Sequence, residues 1–287
     1  MLTEHLVLTR FNVPQNRFAQ DRSGQSVLDD SWMQHRVRLF ETICLPSMRN
    51  QSTQAFRWLC FFSTQTSARW RARIVDWSEG SRLEAHFVDS SADLVSGVVA
   101  AVDPRTEFLV SQRMDNDDAL HRDAVAQTAQ LAQTRREHPV TVIDLRRGLC
   151  VTQESWYRRK CPLSQFVAVA ETKSNSPWRT AWHTTHVNMA STGPVVILRL
   201  RDAWITSMHD RNLINTIWGG RWNPSVQWNR LKVVLHNATI RRGWRRGELS
   251  SQWYPEQRIT YSKQELRRNF GIEGAALNLI GLKTPDR

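Results

Sequence analysis

The stretch Phe108-Leu109-Val110-Ser111-Gln112-Arg113-Met114-Asp115-Asn116-Asp117-Asp118 places three carboxylates directly after an apolar run. The run predicts a buried strand over 107–111, and the residues beyond the acidic turn predict a helix over 119–136. Neighbouring carboxylates repel one another unless a cation offsets their charge. Hard divalent ions such as Mg²⁺ take oxygen ligands and also accept water and phosphate. The turn therefore predicts a metal site, with helix capping by Asp117 and Asp118 as the alternative.

Strand and helix patterns alternate through the first 145 residues. Apolar runs predict strands at 5–10, 56–62, 83–88, 107–111 and 140–145, and periodic stretches predict helices at 26–48, 68–77, 90–101 and 119–136. This alternation predicts an α/β fold, Rossmann-related, with a mostly parallel sheet flanked by helices. Ligands of such open sheets bind at the carboxyl ends of the strands, which is where the acidic turn falls.

The second half, residues 146–287, has fewer periodic segments and many tryptophans. It predicts strands at 165–170, 195–200 and 231–235, and helices at 203–218 and 263–269. We expect this half to complete the sheet of residues 1–145 and to add a Trp/Arg-rich lobe within the same domain. Most of the tryptophans are expected to be core residues, with one or two lining a cleft.

The chain is strongly basic. Its 287 residues hold 39 Lys and Arg against 27 Asp and Glu, a net charge of +12, and only five of the basic residues are lysines. An arginine excess suits phosphate-bearing partners, although a solvated basic surface explains it equally well. The densest basic cluster is Arg241–Arg246, which suggests peripheral contact with an anionic membrane face.

Other sequence signals indicate a cytoplasmic protein. No apolar run approaches the length of a membrane span, and the N-terminal residues lack the pattern of a secretory signal. The four cysteines have neither CxxC nor zinc-finger spacing, so we expect reduced thiols.

Several segments together resemble one family. They are His5–Val13, Leu39–Ser47, Gln51, Phe56–Leu59, Arg113–Leu120, Phe166 with Glu171, and Val233–Asn237. On these residues, over most of positions 1–240, the chain resembles the putative rhamnosyltransferase family of bacterial glycosyltransferases, which is related to the GT-A fold. The resemblance implies a sugar, with rhamnose as the candidate, moved from a nucleotide-sugar donor to a glycan or glycolipid acceptor.

The resemblance also implies roles for particular residues. Asp115 and Asp117 would hold Mg²⁺ or Mn²⁺ and the donor diphosphate. Thr9, Arg10 and Phe11 at the end of the first strand would border the nucleotide. The family leads us to expect an acidic residue where this chain has Ser63, so the contact with the donor base departs from the family pattern. Residues 1–145 would form the nucleotide-sugar-binding half and residues 146–287 the acceptor-binding half.

Sugar transfer by direct displacement needs a base for the acceptor hydroxyl. We predict Glu171, which follows an apolar strand, with Asp144 and Asp202 as rivals. Other residues are expected at the donor: Arg113 at phosphate or in a structural ion pair with the aspartates, His186 as a metal ligand, and His236 at the phosphates or in the core.

Three other classes of protein remain open on the sequence. Interleaved Trp and Arg suit a single-stranded nucleic-acid surface, although the acidic turn would repel phosphates without a metal. A nucleotidyl or phosphoryl transferase would also use clustered aspartates at a strand end. A binding module of the same fold without activity is the third.

Overall fold

The computed structural model describes residues 2–14, 26, 28–209 and 257–285. Its strands, in chain order, are β1 (Leu2–Arg10), β2 (Arg57–Ser63), β3 (Leu83–Val88), β4 (Thr106–Arg113), β5 (Ala119–Leu120), β6 (Val140–Asp144), β7 (Arg147–Val151), β8 (Trp156–Lys160), β9 (Ala168–Thr172), β10 (Val195–Ile197), β11 (Trp204–Ser207) and β12 (Gln257–Ile259). They form two sheets within the described residues.

The larger sheet has seven strands in the order β10-β6-β9-β4-β1-β2-β3. Strand β9 runs antiparallel to both of its neighbours, and every other pairing is parallel. The prediction of a mostly parallel α/β sheet is therefore confirmed. The smaller sheet, in the order β12-β8-β7-β11-β5, is mainly antiparallel and was not predicted.

Helices alternate with the strands of the first half, as the sequence pattern predicts, and one further helix follows the last described strand. They are α1 (Asp30–Leu39), α2 (Leu45–Arg49), α3 (Ala68–Ser78), α4 (Asp93–Ala101), α5 (Ala124–Gln133) and α6 (Lys263–Phe270). A π-helical segment, Phe40–Cys44, joins α1 to α2, so the helix predicted over 26–48 is continuous but locally widened. The side chain of Asp29 accepts the backbone N–H of Ser31 and caps α1.

Two predicted helices differ from the structure. The helix predicted from residue 119 begins only at Ala124, because Ala119 and Leu120 form a short strand that pairs with β11. The helix predicted over 203–218 is wrong at its start, where β11 pairs with β7 as well as β5. The remainder of that segment, and the strand predicted at 231–235, lie outside the described residues.

The core lies on both faces of the large sheet and continues under the small one. One face packs against α1, the π-helical segment and α3 through Trp58, Phe62 and Trp77. The other packs α4 onto the sheet through Leu94 and Val98. A third cluster joins the small sheet to the C-terminal residues around α6. These layers fix the carboxyl ends of the parallel strands along one edge of the large sheet.

Candidate active site at the carboxyl edge of the sheet

Four strands, β1, β2, β4 and β6, end at this edge, with the antiparallel strand β9 between β4 and β6. The parallel pairing of β1 with β2 and with β4 places Arg10, Ser63 and Arg113 at neighbouring strand ends. Strand β6 is antiparallel to β9, which is antiparallel to β4, so Asp144 ends at the same edge. The acidic turn that follows β4 therefore lies where open α/β sheets bind their ligands.

Asp115 is the accessible carboxylate of the acidic turn. It is partly exposed, whereas Asn116, Asp117 and Asp118 are each at most 5% exposed. The Asn116 amide donates a hydrogen bond of 3.0 Å to the carbonyl oxygen of Phe11, which anchors the turn to the end of β1. Asp115 is therefore held at the surface of a turn whose other polar residues point inward.

Asp117 is already paired within the protein. Its Oδ2 atom accepts Arg36 Nη1 at 2.5 Å and lies 3.1 Å from Nε2 of His209. Burial would raise the pKa of this carboxyl, but the charge of Arg36 and the hydrogen bond from His209 outweigh it and hold the pKa well below its ordinary value. Asp117 is therefore engaged by Arg36 and His209, and its role as a metal ligand stays a prediction.

Asp118 connects the turn to the small sheet. Its carboxylate accepts the backbone N–H of Ser207 at 3.0 Å and the side-chain amide of Gln165 at 3.3 Å. Burial raises its pKa well above the ordinary value, and the neighbouring Asp117 and Asp115 raise it further. The helix-cap alternative for Asp117 and Asp118 is wrong, because α5 begins after Asp123.

Two arginines flank Asp115. Burial lowers the pKa of both Arg10 and Arg113, and the charge of Asp115 opposes this in each case. Each guanidinium stays charged because arginine does not deprotonate in proteins. Within the described part of the chain, neither has a carboxylate within 4.0 Å, so the ion pair suggested for Arg113 does not form there.

The other predicted nucleotide residues of β1 face inward. The indole N–H of Trp58 donates to Thr9 Oγ1 at 2.9 Å. The Phe11 ring packs at 5.3 Å from Phe40 and 5.2 Å from Phe62. Their side chains are thus engaged inside the protein, and Arg10 is the member of this trio whose side chain lies near Asp115.

Glu171, the predicted base, lies away from the carboxyl edge of the sheet. It pairs with Leu109, in the middle of β4, and with Val140, the first residue of β6. Leu109 is four residues before Arg113, so Glu171 lies roughly 13 Å from the carboxyl edge. Burial raises its pKa to about 7, against the hydrogen bond from the backbone N–H of Arg179. The register therefore separates Glu171 from the acidic turn, and its role as the base for the acceptor's proton stays a prediction.

Both rivals of Glu171 are also engaged. Asp144 is fully buried at the carboxyl edge and accepts Arg146 Nη2 at 2.8 Å and the backbone N–H of Leu163 at 3.0 Å. Burial raises its pKa, and Arg146 opposes the rise. Asp202 accepts Arg158 Nε at 3.0 Å.

The predicted histidines have different outcomes. His186 Nδ1 lies 2.7 Å from the carbonyl oxygen of Leu163, and burial together with the charge of Arg113 lowers its pKa. His186 therefore lies beside the arginine pair, near enough to Asp115 for an electrostatic effect. His236 and the Arg241–Arg246 cluster lie outside the described residues. Among those described, no three His, Cys, Asp or Glu side chains are grouped closely enough to hold a metal.

Sequence reasoning missed Arg36, His209 and His35. Arg36 reaches Asp117 from α1, and His35 Nε2 lies 3.5 Å from His209 Nδ1. Nothing in the local sequence of α1 marks Arg36. His209 comes shortly after the apolar residues Ala203–Ile205, so a strand prediction there would have placed it at a strand end. The sequence pattern instead predicts a helix for this segment.

Comparison with protein families gives one match. The model of the family described as "Putative rhamnosyl transferase" matches residues 4–221. This match confirms the family resemblance of the sequence. No curated protein matches the chain.

Solved structures give distant likenesses. A fragment of TarS from S. aureus, residues 1–349, aligns with a TM-score of 0.42 and 8% identity over 71% of this chain and 60% of that one. A protein from Desulfovibrio desulfuricans G20, titled a putative nucleotide-diphospho-sugar transferase, aligns with a TM-score of 0.36 and 12% identity over 84% of this chain and 91% of that one. The chain thus spans less than two thirds of the TarS fragment.

Proposed function

The chain belongs to the rhamnosyl transferase family, and from that premise we propose that it moves a sugar, with rhamnose as the candidate, from a nucleotide-sugar donor to a saccharide or glycolipid acceptor. The observation that carries the proposal is the position of Asp115 at the carboxyl edge of the parallel strands, within electrostatic reach of two partly buried arginines, Arg10 and Arg113. The arginines suit a ligand that is anionic, and the carboxylate of Asp115 suits a cation bound to that same ligand.

The arginine pair suits the leaving group of a sugar transfer. When the bond to the sugar breaks, negative charge grows on the departing nucleoside diphosphate. Arginine forks bind phosphate oxygens through two parallel hydrogen bonds and remain charged when they are buried. Arg10 and Arg113 are partly buried and have no carboxylate within 4.0 Å among the described residues, so a diphosphate bound beside them would meet two guanidinium groups already in place.

A divalent cation fits Asp115 in chemical terms. Mg²⁺ and Mn²⁺ accept carboxylate oxygens, and Mg²⁺ commonly takes one or two carboxylates, with water and substrate phosphate completing its shell. Asp115 is the open carboxylate of the turn, whereas Asp117 is occupied by Arg36 and His209. When bound, the cation would supply electrostatic stabilisation of the diphosphate.

A thermal-shift series tests the donor site. Nucleoside diphosphates are added with and without Mg²⁺ or Mn²⁺ to wild type, Asp115→Asn and a control, Asp76→Asn, which removes an exposed carboxylate on α3. Ligand at about 100 times its Kd stabilises the fold by about 2.7 kcal/mol, which raises Tm by several degrees. We expect wild type and Asp76→Asn to respond to nucleotide with metal, and Asp115→Asn to lose the metal-dependent part.

An Asp115→Asn response equal to that of wild type would overturn the role given to Asp115. Product analysis then separates the reaction classes. Sugar transfer releases a nucleoside diphosphate, and the release speeds up when the correct acceptor is present. Attachment of a nucleoside monophosphate to an acceptor, with release of pyrophosphate from a nucleoside triphosphate, would instead indicate nucleotidyl transfer.

A further inference from the structure

A cavity of about 1060 Å³ lies between α5 and β10, and its lining shares no residue with the acidic turn. Five of its lining residues are cationic, and no described lining residue is acidic or aromatic. The cations are Arg135, Arg146, Arg147, Lys160 and Arg199. The apolar part of the lining is aliphatic and comes from α5 and the β10 segment: Leu131, Val195, Val196, Ile197 and Leu198.

The positive charge of this cavity is only partly balanced. Arg146 is paired with Asp144 at 2.8 Å. Arg135, Arg147 and Arg199 have no carboxylate within 4.0 Å in the described part of the chain. The Nε atom of Arg135 is buried without a hydrogen-bond partner among these residues. An unpaired buried donor costs free energy, so an anion in the cavity would be stabilised.

The aliphatic lining restricts which anion fits. Strand β10 is the edge strand of the large sheet, and its Val195 and Ile197 are 38% and 45% exposed. A polyhydroxylated chain placed against Val, Leu and Ile would lose hydrogen bonds to water. A hydrocarbon chain in the same place would gain free energy by leaving water. Arginine forks in turn favour phosphate over a point-charge anion.

We propose that this cavity binds the phosphate headgroup of a lipid, with the adjoining aliphatic chain against β10. A short series of polar contacts connects the basic end of the cavity with the candidate active site. Asp144, paired with Arg146, accepts the backbone N–H of Leu163, and the carbonyl of Leu163 lies 2.7 Å from His186. Lipid binding at this place does not depend on the donor chemistry proposed above.

Vesicle flotation tests the proposal with two matched double variants. Arg147→Gln with Arg199→Gln removes two exposed cations of the cavity, and Arg38→Gln with Arg82→Gln removes two exposed cations elsewhere. A third variant, Val195→Ser with Ile197→Ser, removes the exposed aliphatic groups of β10. The vesicles are phosphatidylcholine alone or phosphatidylcholine with phosphatidic acid, and circular dichroism checks the fold of each variant.

We expect wild type and the Arg38/Arg82 variant to float only with phosphatidic acid. The Arg147/Arg199 variant should bind these vesicles about 30-fold more weakly, and the Val195/Ile197 variant should also bind more weakly. Equal weakening by both arginine pairs would overturn the proposal in favour of general surface charge. Full vesicle binding by the Val195/Ile197 variant, or displacement by inorganic phosphate alone, would overturn it in favour of a free-phosphate site. Loss of RNA binding in the Arg147/Arg199 variant with vesicle binding retained would overturn it in favour of a nucleic-acid surface.

Discussion

Arg36 and Asp117 are an ion pair whose side chains are only 14% and 7% exposed. Removing one member of a buried pair leaves the other charge without compensation and typically costs about 3–5 kcal/mol. Arg36→Gln should therefore lower the free energy of unfolding by roughly that amount, measured by urea denaturation.

Two further variants control this prediction. Arg38→Gln changes an exposed arginine on the same helix and should shift stability by less than about 0.5 kcal/mol. Adding Asp117→Asn to Arg36→Gln should restore part of the loss, because the stranded charge is removed. If Arg36→Gln is as stable as Arg38→Gln, the ion pair does not support the acidic turn.

Glu171 gives a pH-dependent prediction. Its pKa is about 7 in the folded protein against an ordinary value of 4.5, so the folded state holds the proton more tightly than the unfolded state does. The stabilisation of the folded state that results from this difference in pKa is fully present below pH 4.5 and is lost as the pH rises through 7. Glu171→Gln lacks this titration, so its stability relative to wild type should increase between pH 5 and pH 8 in thermal unfolding.

The same substitution tests whether Glu171 acts as the base. Because its strand position lies roughly 13 Å from the carboxyl edge, Glu171→Gln should retain sugar transfer. A large loss of kcat with unchanged stability would return Glu171 to the list of bases.

At the residue scale, the sequence predicts features formed by residues that are close together in the chain, but not contacts between distant residues. The acidic turn was identified from the sequence because its residues are adjacent and follow a visible strand. The contact of Asp117 with Arg36 spans 81 residues and that with His209 spans 92, so no local pattern carries either of them. The distinction between an open Asp115 and a paired Asp117 therefore required the fold.

At the scale of elements, β7 depends on a glycine. A Cβ atom at position 148 would overlap the indole of Trp204, whose ring stacks on Phe166 with centroids 4.8 Å apart. Trp204 also donates its indole N–H to the carbonyl oxygen of Leu145. Gly148→Ala should thus cost about 1–3 kcal/mol by overpacking and change the near-ultraviolet circular dichroism of the tryptophans. Adding Trp204→Phe should restore part of the stability, whereas a stable Gly148→Ala with an unchanged spectrum would contradict this packing.

The elements of the first half could be predicted because each has its own periodicity. Strand β2 is a short, continuous apolar run and α3 has a clear apolar face, and both have nearly the predicted bounds. Strand β11 shows no alternation, because all four of its residues are buried between β7 and β5. Its strand conformation arises from pairing with segments about 55 and 85 residues away in the chain.

At the scale of the whole molecule, the C-terminal residues 257–285 complete the core of the small sheet. Six of their apolar side chains are at most 3% exposed: Tyr261, Leu266, Phe270, Ile272, Leu277 and Leu282. Main-chain bonds attach the same segment to distant parts of the fold, including Arg122 N–H to the Asn269 carbonyl at 2.7 Å and Lys283 N–H to the Thr152 carbonyl at 2.7 Å.

The free energy gained by burying these six side chains is comparable to the net free energy of unfolding of a whole domain. Each contributes about 1.5–3 kcal/mol on burial, and a domain is stable by only about 5–15 kcal/mol in total. Truncation before Gln257 should therefore abolish cooperative unfolding, even though the acidic turn, Arg10 and Arg113 all remain. Leu266→Ala should cost about 2–5 kcal/mol, whereas Leu279→Ala, at a position 78% exposed, should cost less than about 0.5 kcal/mol. A truncated chain that still melts cooperatively and keeps its response to nucleotide would show that the large sheet folds alone. The donor site would then be independent of the C-terminal segment, contrary to the support that these contacts indicate.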